Sequence, residues 1–246
     1  MEQSLDLLRQ EVAVCSRMLV DADILNYSGH ISARIPGTET LLIQRVYDVR
    51  SAVEPDRLVI VDLEGQNLGD SGQPPGEVFI HTEIYRARPD VNAVAHFHHD
   101  PTTVFSIVPG TPLVPVKNHA SRWMNGIPIH YDSSQIQNSE QGRSVAKTLG
   151  EDAALLLRGH GEVLVAEDVP ALFADSVHFV ENAQSLLLAA QIGTVEALTT
   201  QELESFLATF HRKNHSQKLW KYYTAVAASR GVIPNDWVLD QDTPWY

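Results

Sequence analysis

Two histidines separated by one residue, His96 and His98, follow an apolar stretch that alternates as a β-strand does. Residues two apart on a strand point to the same side, so both imidazoles face one point, as a divalent metal requires of a ligand pair. A third imidazole, His160, lies between two glycines after the apolar run 154–157. A carboxylate, Glu77, stands at a predicted helix start. Three imidazoles, a carboxylate and an open coordination position together predict a catalytic metal site.

The same residues also have plain structural explanations. Two histidines on a strand are often partly exposed polar residues, and an acid at a helix N-terminus interacts favourably with the helix dipole. A Gly-His-Gly turn after a buried strand has little structural reason to contain an imidazole. For that reason His160 favours the metal site over the structural explanation.

The elements that must position these residues follow from the apolar periodicity. Helices are predicted over residues 4–22, 77–88, 101–108, 139–149, 169–192 and 200–229, and strands over 31–35, 40–44, 57–62, 91–98, 113–116, 127–131, 154–157 and 162–166. The strands outnumber those of a doubly wound parallel sheet, and several are hairpin-like. This pattern favours an α/β fold with a mixed, largely antiparallel sheet flanked by helices. In the absence of a repeat or linker, residues 1–246 are predicted to form a single domain, with 231–246 an extended C-terminal tail.

Composition narrows the function classes. The chain has 246 residues, 43% of them hydrophobic, and a formal net charge of −13, which argues against nucleic-acid binding. The one cysteine, Cys15, excludes a disulfide framework within the chain. The N-terminus lacks the apolar core of a signal peptide, and no apolar run is long enough to cross a membrane. We therefore expect a soluble, cytoplasmic protein.

Taken together, these motifs resemble the class II aldolase/adducin family. The resemblance covers the N-terminal helix, Gly-His-Ile-Ser-Ala-Arg at 29–34, the Glu77 and His-x-His block, Arg-Gly-His-Gly at 158–161 and the long helix that follows. It implies one divalent metal ion per subunit, zinc or else manganese, cobalt or iron. The implied metal residues are His96, His98, His160 and Glu77, the last as a ligand or an acid/base. The resemblance also implies a three-layer α/β/α fold and a homotetramer with active sites near subunit interfaces.

The residues around the metal motif depart from the family's sugar-phosphate enzymes, which share Gly-Asn-x-Ser, Thr-Pro-Thr/Ser-Gly and Ser-Ser motifs that bind phosphate. This chain has His30 in the first motif, Gln44 and Arg45 in the second, and Pro75-Gly76 before the acid. Arginine can bind phosphate, but these side chains are better suited to a flat carboxylate and a hydroxyl on an aromatic ring. The pattern is similar to that of the family's decarboxylases of hydroxylated aromatic or pyridine dicarboxylic acids.

The resulting prediction is a metal-dependent carbon–carbon lyase, a carboxy-lyase acting on a small acidic substrate. Glu77 is predicted to act as the acid/base, while Arg45, with Gln44 or His30, holds a second carboxylate. The residues predicted to bind substrate are Ser28, Gly29, Gln44 and His119. Two alternatives stay open: a sugar-phosphate aldolase, epimerase or decarboxylase that uses the same metal site, and a non-catalytic adducin-like assembly module.

Overall fold

A seven-stranded sheet forms the centre of the molecule, in the order β3-β2-β1-β4-β7-β6-β5. The computed structural model describes residues 4–69 and 72–237. The strands are β1 His30–Arg34, β2 Thr40–Ile43, β3 Val59–Asp62, β4 Ala93–Phe97, β5 Ile129–His130, β6 Ala154–Leu157 and β7 Gly161–Ala166. Every neighbouring pair is antiparallel except β5 and β6, which are parallel. The predicted mixed, largely antiparallel sheet is confirmed.

Helices cover both faces of this sheet, which confirms the three-layer α/β/α prediction. They are α1 Leu5–Asp21, α2 Val78–Ala87, α3 Asp100–Thr103, α4 Ser139–Leu149, α5 Val169–Ile192, α6 Thr200–Leu207 and α7 Arg212–Ser229. One apolar core joins α1 and α5 to the side chains of Ala93, Ala95 and Phe97. Val94, between them, packs in the second core with α2 and α4. Both cores are buried because strand residues alternate between the two faces.

Local sequence signals fix the ends of several helices. Asp168 begins α5, where its Oδ1 accepts a hydrogen bond from the Ala171 N–H at 2.7 Å. Asn138 begins α4 in the same way, accepting from the Gln141 N–H at 3.0 Å. No helix in the described ranges is long and apolar enough to cross a membrane.

The predicted strand over residues 113–116 is wrong. This segment pairs with the side chain of Asn182 in α5 instead of with a strand. The Asn182 Oδ1 accepts from the backbone N–H groups of Val116 and Lys117 at 2.9 and 3.2 Å, and its Nδ2 donates to the Val114 carbonyl at 3.0 Å. The Pro115 carbonyl accepts from the Leu198 N–H at 2.9 Å, so the backbone groups that a strand would leave for a neighbour are bound by an amide and by another loop.

The predicted helix over residues 200–229 is two helices, α6 and α7, which are separated at 208–211. Phe206 and Phe210 are four residues apart, as on one helix face, and this spacing hides the break in the sequence. In the structure their rings stack across the end of α6, with centroids 4.7 Å apart. Of the predicted tail, residues 235–237 form a short 3₁₀ turn, and residues 238–246 lie outside the described part of the chain.

Candidate metal site

Four side chains from three separate parts of the fold converge on one point. They are Glu77, His96, His98 and His160, whose ligand atoms all lie within 4.8 Å of one another. The Glu77 Oε2 lies 3.6 Å from the Nε2 atoms of both His96 and His160, and the Nε2 atoms of His96 and His98 are 3.0 Å apart. Three imidazoles thus present the same ring nitrogen to a shared centre beside a carboxylate, which is a donor set suited to a divalent cation.

Each element delivers its side chain for an identifiable reason. Strand β4 carries His96, and His98 follows directly, so strand alternation aims both inward. His160 lies in the β6–β7 turn after Gly159, whose φ of 61° favours glycine. Gly161 is required next, because a Cβ there would lie 2.7 Å from the His98 Cδ2 atom. The Gly-His-Gly sequence thereby allows the turn to pack against the histidine pair.

Hydrogen bonds at Nδ1 determine the tautomers of His96 and His98. The His96 Nδ1 lies 2.9 Å from the Glu162 carbonyl, which can only accept, so Nδ1 carries the proton. The His98 Nδ1 lies 3.0 Å from the Ser28 Oγ, which donates its own proton to the Asn26 Oδ1. Both Nε2 atoms are therefore left with a lone pair toward the centre, the arrangement that metal-binding histidines use.

Glu77 directs its carboxylate to the site and makes no capping hydrogen bond to α2. Its Oε1 accepts from the Ile136 N–H at 3.0 Å. Burial raises the pKa of Glu77, but the His160 and His96 imidazoles and the Ile136 N–H outweigh that effect and hold the pKa well below its ordinary range. Burial, with the neighbouring His96 and His160, lowers the pKa of His98 to about 3. At neutral pH the site holds an anionic carboxylate and a neutral His98 ring.

His30, predicted to be catalytic, lies behind this centre. Its ring centroid is 5.1 Å from that of His96, and only 1% of the residue is exposed. A buried chain runs from the His30 Nδ1 to the His81 Nε2 at 2.6 Å, from the His81 Nδ1 to the Ser32 Oγ at 2.6 Å, and from there to the Tyr85 hydroxyl at 2.8 Å. His81 lies one helical turn after Glu77, and that spacing already marks it in the sequence, where a structural role is favoured over a hydrogen bond to the carboxylate.

Arg50 was not predicted, and it ties the substrate-binding segments together. Its buried guanidinium donates to the carbonyls of Gly29, Arg45 and Asp48 at 2.6, 2.9 and 2.7 Å. Gly29 has no room for a side chain, because a Cβ would lie 2.9 Å from the His96 carbonyl oxygen. The turn that holds Ser28 and the loop that holds Arg45 are therefore joined through one side chain.

The other predicted substrate residues have different surroundings. Gln44 is fully buried, and its Oε1 accepts from the Ile31 N–H at 2.7 Å. Its Nε2 has no hydrogen-bond partner among the described residues. The aliphatic part of the half-buried Arg45 side chain packs against Gly72. His119 lies instead with His178 and His215 in a second imidazole cluster. The substrate roles of Gln44, Arg45 and His119 stay predictions.

Comparison with known proteins identifies one family, two related proteins and one similar solved structure. The family model described as the class II aldolase and adducin N-terminal domain matches residues 10–187. The chain is 28% identical to a 3,4-dihydroxyphthalate decarboxylase of Arthrobacter keyseri, over 78% of this chain and 77% of that protein. A protein of the same name from Rhodococcus jostii is 26% identical, over 82% of this chain and 87% of that protein. The fold resembles that of an L-fuculose 1-phosphate aldolase from Glaciozyma antarctica, with a TM-score of 0.78 and 20% sequence identity. The match covers 92% of this chain and 90% of that protein.

Proposed function

Because this chain belongs to the class II aldolase and adducin N-terminal domain family, we propose that it is a divalent-metal-dependent carbon–carbon lyase. We further propose that its substrate is a hydroxylated aromatic dicarboxylic acid of the phthalate or pyridine type, from which it releases CO2. The observation that carries the proposal is the convergence of Glu77 with three imidazoles on one point. The relatives named as dihydroxyphthalate decarboxylases support the choice of substrate class.

The residues fit a metal by their chemistry as well as by their placement. The lone pairs of His96 and His98 face the centre because their Nδ1 protons are directed elsewhere. His160 adds a third nitrogen, and Glu77 adds an anionic oxygen. A divalent cation held there would stabilise the negative charge that develops beside the bond that breaks. Imidazole ligands suit zinc, and the added carboxylate also suits manganese, cobalt or iron.

Glu77 would move one proton in this reaction. Its low pKa means that it enters the cycle ionised, so it first acts as a base and removes the proton of the substrate hydroxyl next to the carboxylate that leaves. Protonated Glu77 then returns its proton to the ring carbon that bears this carboxylate, while the electron pair of the oxyanion shifts toward the ring and the C–O bond becomes a ketone. The C–C bond breaks, CO2 departs, and the bonding electron pair restores the aromatic ring and the oxyanion, which solvent protonates when product leaves. The same carboxyl serves as general base and general acid in turn.

Arg45 would orient the substrate by binding its second carboxylate. An arginine fork pairs with a carboxylate through two parallel hydrogen bonds, which fixes orientation. The support is Arg50, which binds the Arg45 carbonyl and the Gly29 carbonyl at once. Gly29 follows Ser28, whose hydroxyl contacts His98. The loop carrying Arg45 is thus connected to the wall of the metal site.

We also propose the homotetramer that the family resemblance implies, with sites near the subunit boundaries. Tyr27 and Tyr47 are 87% and 92% exposed and line one cavity with Asn26, whose Nδ2 donates to the His98 carbonyl. Large exposed aromatic side chains are enriched at protein–protein interfaces. Sedimentation analysis of the full chain tests this proposal, because a monomer would contradict it.

The test of function compares two chemistries on one preparation. Chelator-treated protein is reloaded with Zn²⁺, Mn²⁺, Co²⁺ or Fe²⁺ and incubated with 3,4-dihydroxyphthalate and, separately, with ketose 1-phosphates. We expect metal-dependent CO2 release from the aromatic acid and no triose phosphate. Triose phosphate formation without CO2 release would identify the sugar-phosphate alternative. Activity in neither assay, from protein that binds no metal, would favour the non-catalytic alternative.

A further inference from the structure

A second cluster of imidazoles lies apart from the residues of the proposed active site. It consists of His119, His178 and His215, whose ligand atoms lie within 4.8 Å of one another. The Nε2 atoms of His178 and His215 are 2.8 Å apart, and the His119 ring stacks on both, with centroid separations of 4.2 and 4.5 Å. These three histidines come from three elements, and the proton transfer proposed for Glu77 uses none of them.

The surroundings of the cluster resemble those of a metal site. The Nδ1 of the 9%-exposed His178 faces the Glu181 Oε2 at 3.5 Å, and the Lys117 Nζ binds that oxygen at 3.1 Å. A carboxylate behind the outer ring nitrogen orients a metal-binding histidine and leaves its other nitrogen for the metal. The His119 Nδ1 is buried and has no hydrogen-bond partner in the described part of the chain. A buried polar atom ordinarily has such a partner.

The carboxylate in this cavity pairs with arginines and not with the three imidazoles. Asp175 lines the same cavity of about 270 Å³, but Arg212 binds both of its oxygens, at 2.7 and 2.8 Å, and the Arg122 Nε lies 3.4 Å from one of them. The carboxylate is therefore neutralised by arginines. The three imidazoles are left as the metal-binding groups of this cavity.

We propose that His119, His178 and His215 form a second metal site, selective for a nitrogen-preferring transition ion such as Zn²⁺. Imidazole ligands favour ions of this class over Mg²⁺ and Ca²⁺, which take oxygen ligands. Three protein ligands leave a further position that opens to the cavity. The competing explanation of the 2.8 Å contact is a hydrogen bond between neutral His178 and His215 rings.

The proposed site would fasten the C-terminal helices to the family domain. His119 lies in the 3₁₀ segment Asn118–Trp123 and His178 in α5, both within the matched residues 10–187. His215 lies in α7, beyond that match. Phe206 and Phe210 pack on the His119 ring at 5.3 and 5.5 Å, so α6 and the break before α7 adjoin the same site. An ion bound here would link the 3₁₀ segment, α5 and α7 directly.

Metal counting on the full chain separates this site from the first. Chelator-treated protein is saturated with Zn²⁺, freed of excess ion, and its zinc is measured per chain. We expect two ions for the native chain, one for His215→Ala, one for His160→Ala, and two for His211→Ala. The last is the matched control, because His211 is an exposed histidine next to the same helix. Equal zinc content in the native chain and His215→Ala would overturn the proposal.

A second measurement does not depend on the fold of a variant. Diethyl pyrocarbonate modifies accessible imidazoles, and peptide mapping of the native chain reports each of them with and without Zn²⁺. Zinc is expected to protect His215 and to leave His211 unchanged. The zinc-dependent rise in Tm should also be about 5–10 °C smaller for His215→Ala when free zinc is about 100-fold above its Kd. Unprotected His215 in zinc-saturated protein would identify the cluster as a hydrogen-bonded stack.

Discussion

Replacing Glu77 with glutamine separates its two proposed roles, metal ligand and proton carrier. Glutamine keeps an oxygen that can accept from the Ile136 N–H, now bound at 3.0 Å, so the loop at 136 should hold its position. The change removes the anionic oxygen 3.6 Å from the Nε2 atoms of His96 and His160. It also removes the only atom in the mechanism that takes and returns a proton.

The two losses have different sizes and different remedies. A carboxylate and a divalent ion about 4 Å apart interact by roughly 8 kcal/mol at an effective dielectric constant of 20, and the glutamine oxygen replaces only part of that attraction, so metal affinity should fall by about 10³-fold or more. Three imidazoles remain, and raising the metal concentration compensates for the weaker binding. General acid–base catalysis contributes about 10²–10⁴-fold, and added metal cannot restore that part.

The assay is therefore CO2 release at metal concentrations that saturate the variant, with occupancy measured on the same samples. We expect kcat of Glu77→Gln to be lower by about 10²–10⁴-fold at full occupancy. Glu83→Gln is the matched control, because Glu83 is a 2%-exposed acid on α2 that pairs with Arg86 and Arg143 and not with the histidines. That control should lose stability and keep its turnover. A Glu77→Gln variant with native kcat when metal-saturated would remove Glu77 from the proton transfer.

Three further results are expected from residues around the metal site. Ser28→Ala removes the nearer acceptor of the His98 Nδ1 proton, at 3.0 Å, and leaves the Asn26 Oδ1 at 3.4 Å. It should weaken metal binding by about 10–100-fold, measured by competition with a chromophoric chelator. Gly161→Ala should abolish metal binding, because the new Cβ would lie 2.7 Å from the His98 ring. Gly193→Ala should not alter it, because no atom of residues 4–69 and 72–237 would lie within 4 Å of that Cβ. Burial raises the pKa of Glu162 to about 8, so the stabilisation from its neutral form is complete below pH 4.5 and is lost as pH rises toward 8. Denaturant unfolding should show a decline of about 3 kcal/mol between pH 5 and 8, and Glu162→Gln should flatten it; an unchanged slope would contradict the assignment.

Local pattern was sufficient to predict most of the elements that carry the metal site. Helix α5 begins and ends where Asp168, Pro170 and the apolar run 169–192 predict. The β4 strand and the turn at His160 are likewise set by short-range signals, alternation in one case and glycine in the other. In each of these segments the local preference and the buried contacts agree, and that agreement makes sequence patterns informative.

The secondary-structure predictions were wrong where a side chain from a distant element replaced a backbone hydrogen-bond partner or packed against the segment. Residues 113–116 have the apolar content of a strand, but Asn182 in α5 satisfies their backbone groups. No local pattern encodes that choice, because the amide lies in another element. The break between α6 and α7 has a similar origin. Phe206 and Phe210 follow helical spacing although both are held by the His119 ring, one before the break and one within it.

Histidine spacing predicts chemistry only when the ligands share a strand or a turn. His96 and His98 could be paired from the sequence because one strand carries both, and His160 stood out between its glycines. His119, His178 and His215 are far apart in the sequence and lie in a 3₁₀ segment and two helices. The break after α6 helps to bring the start of α7 to α5, so the feature that contradicts the helix prediction also contributes to assembling the second cluster. A proposal for that cluster therefore requires the tertiary arrangement, and its zinc content tests that arrangement directly.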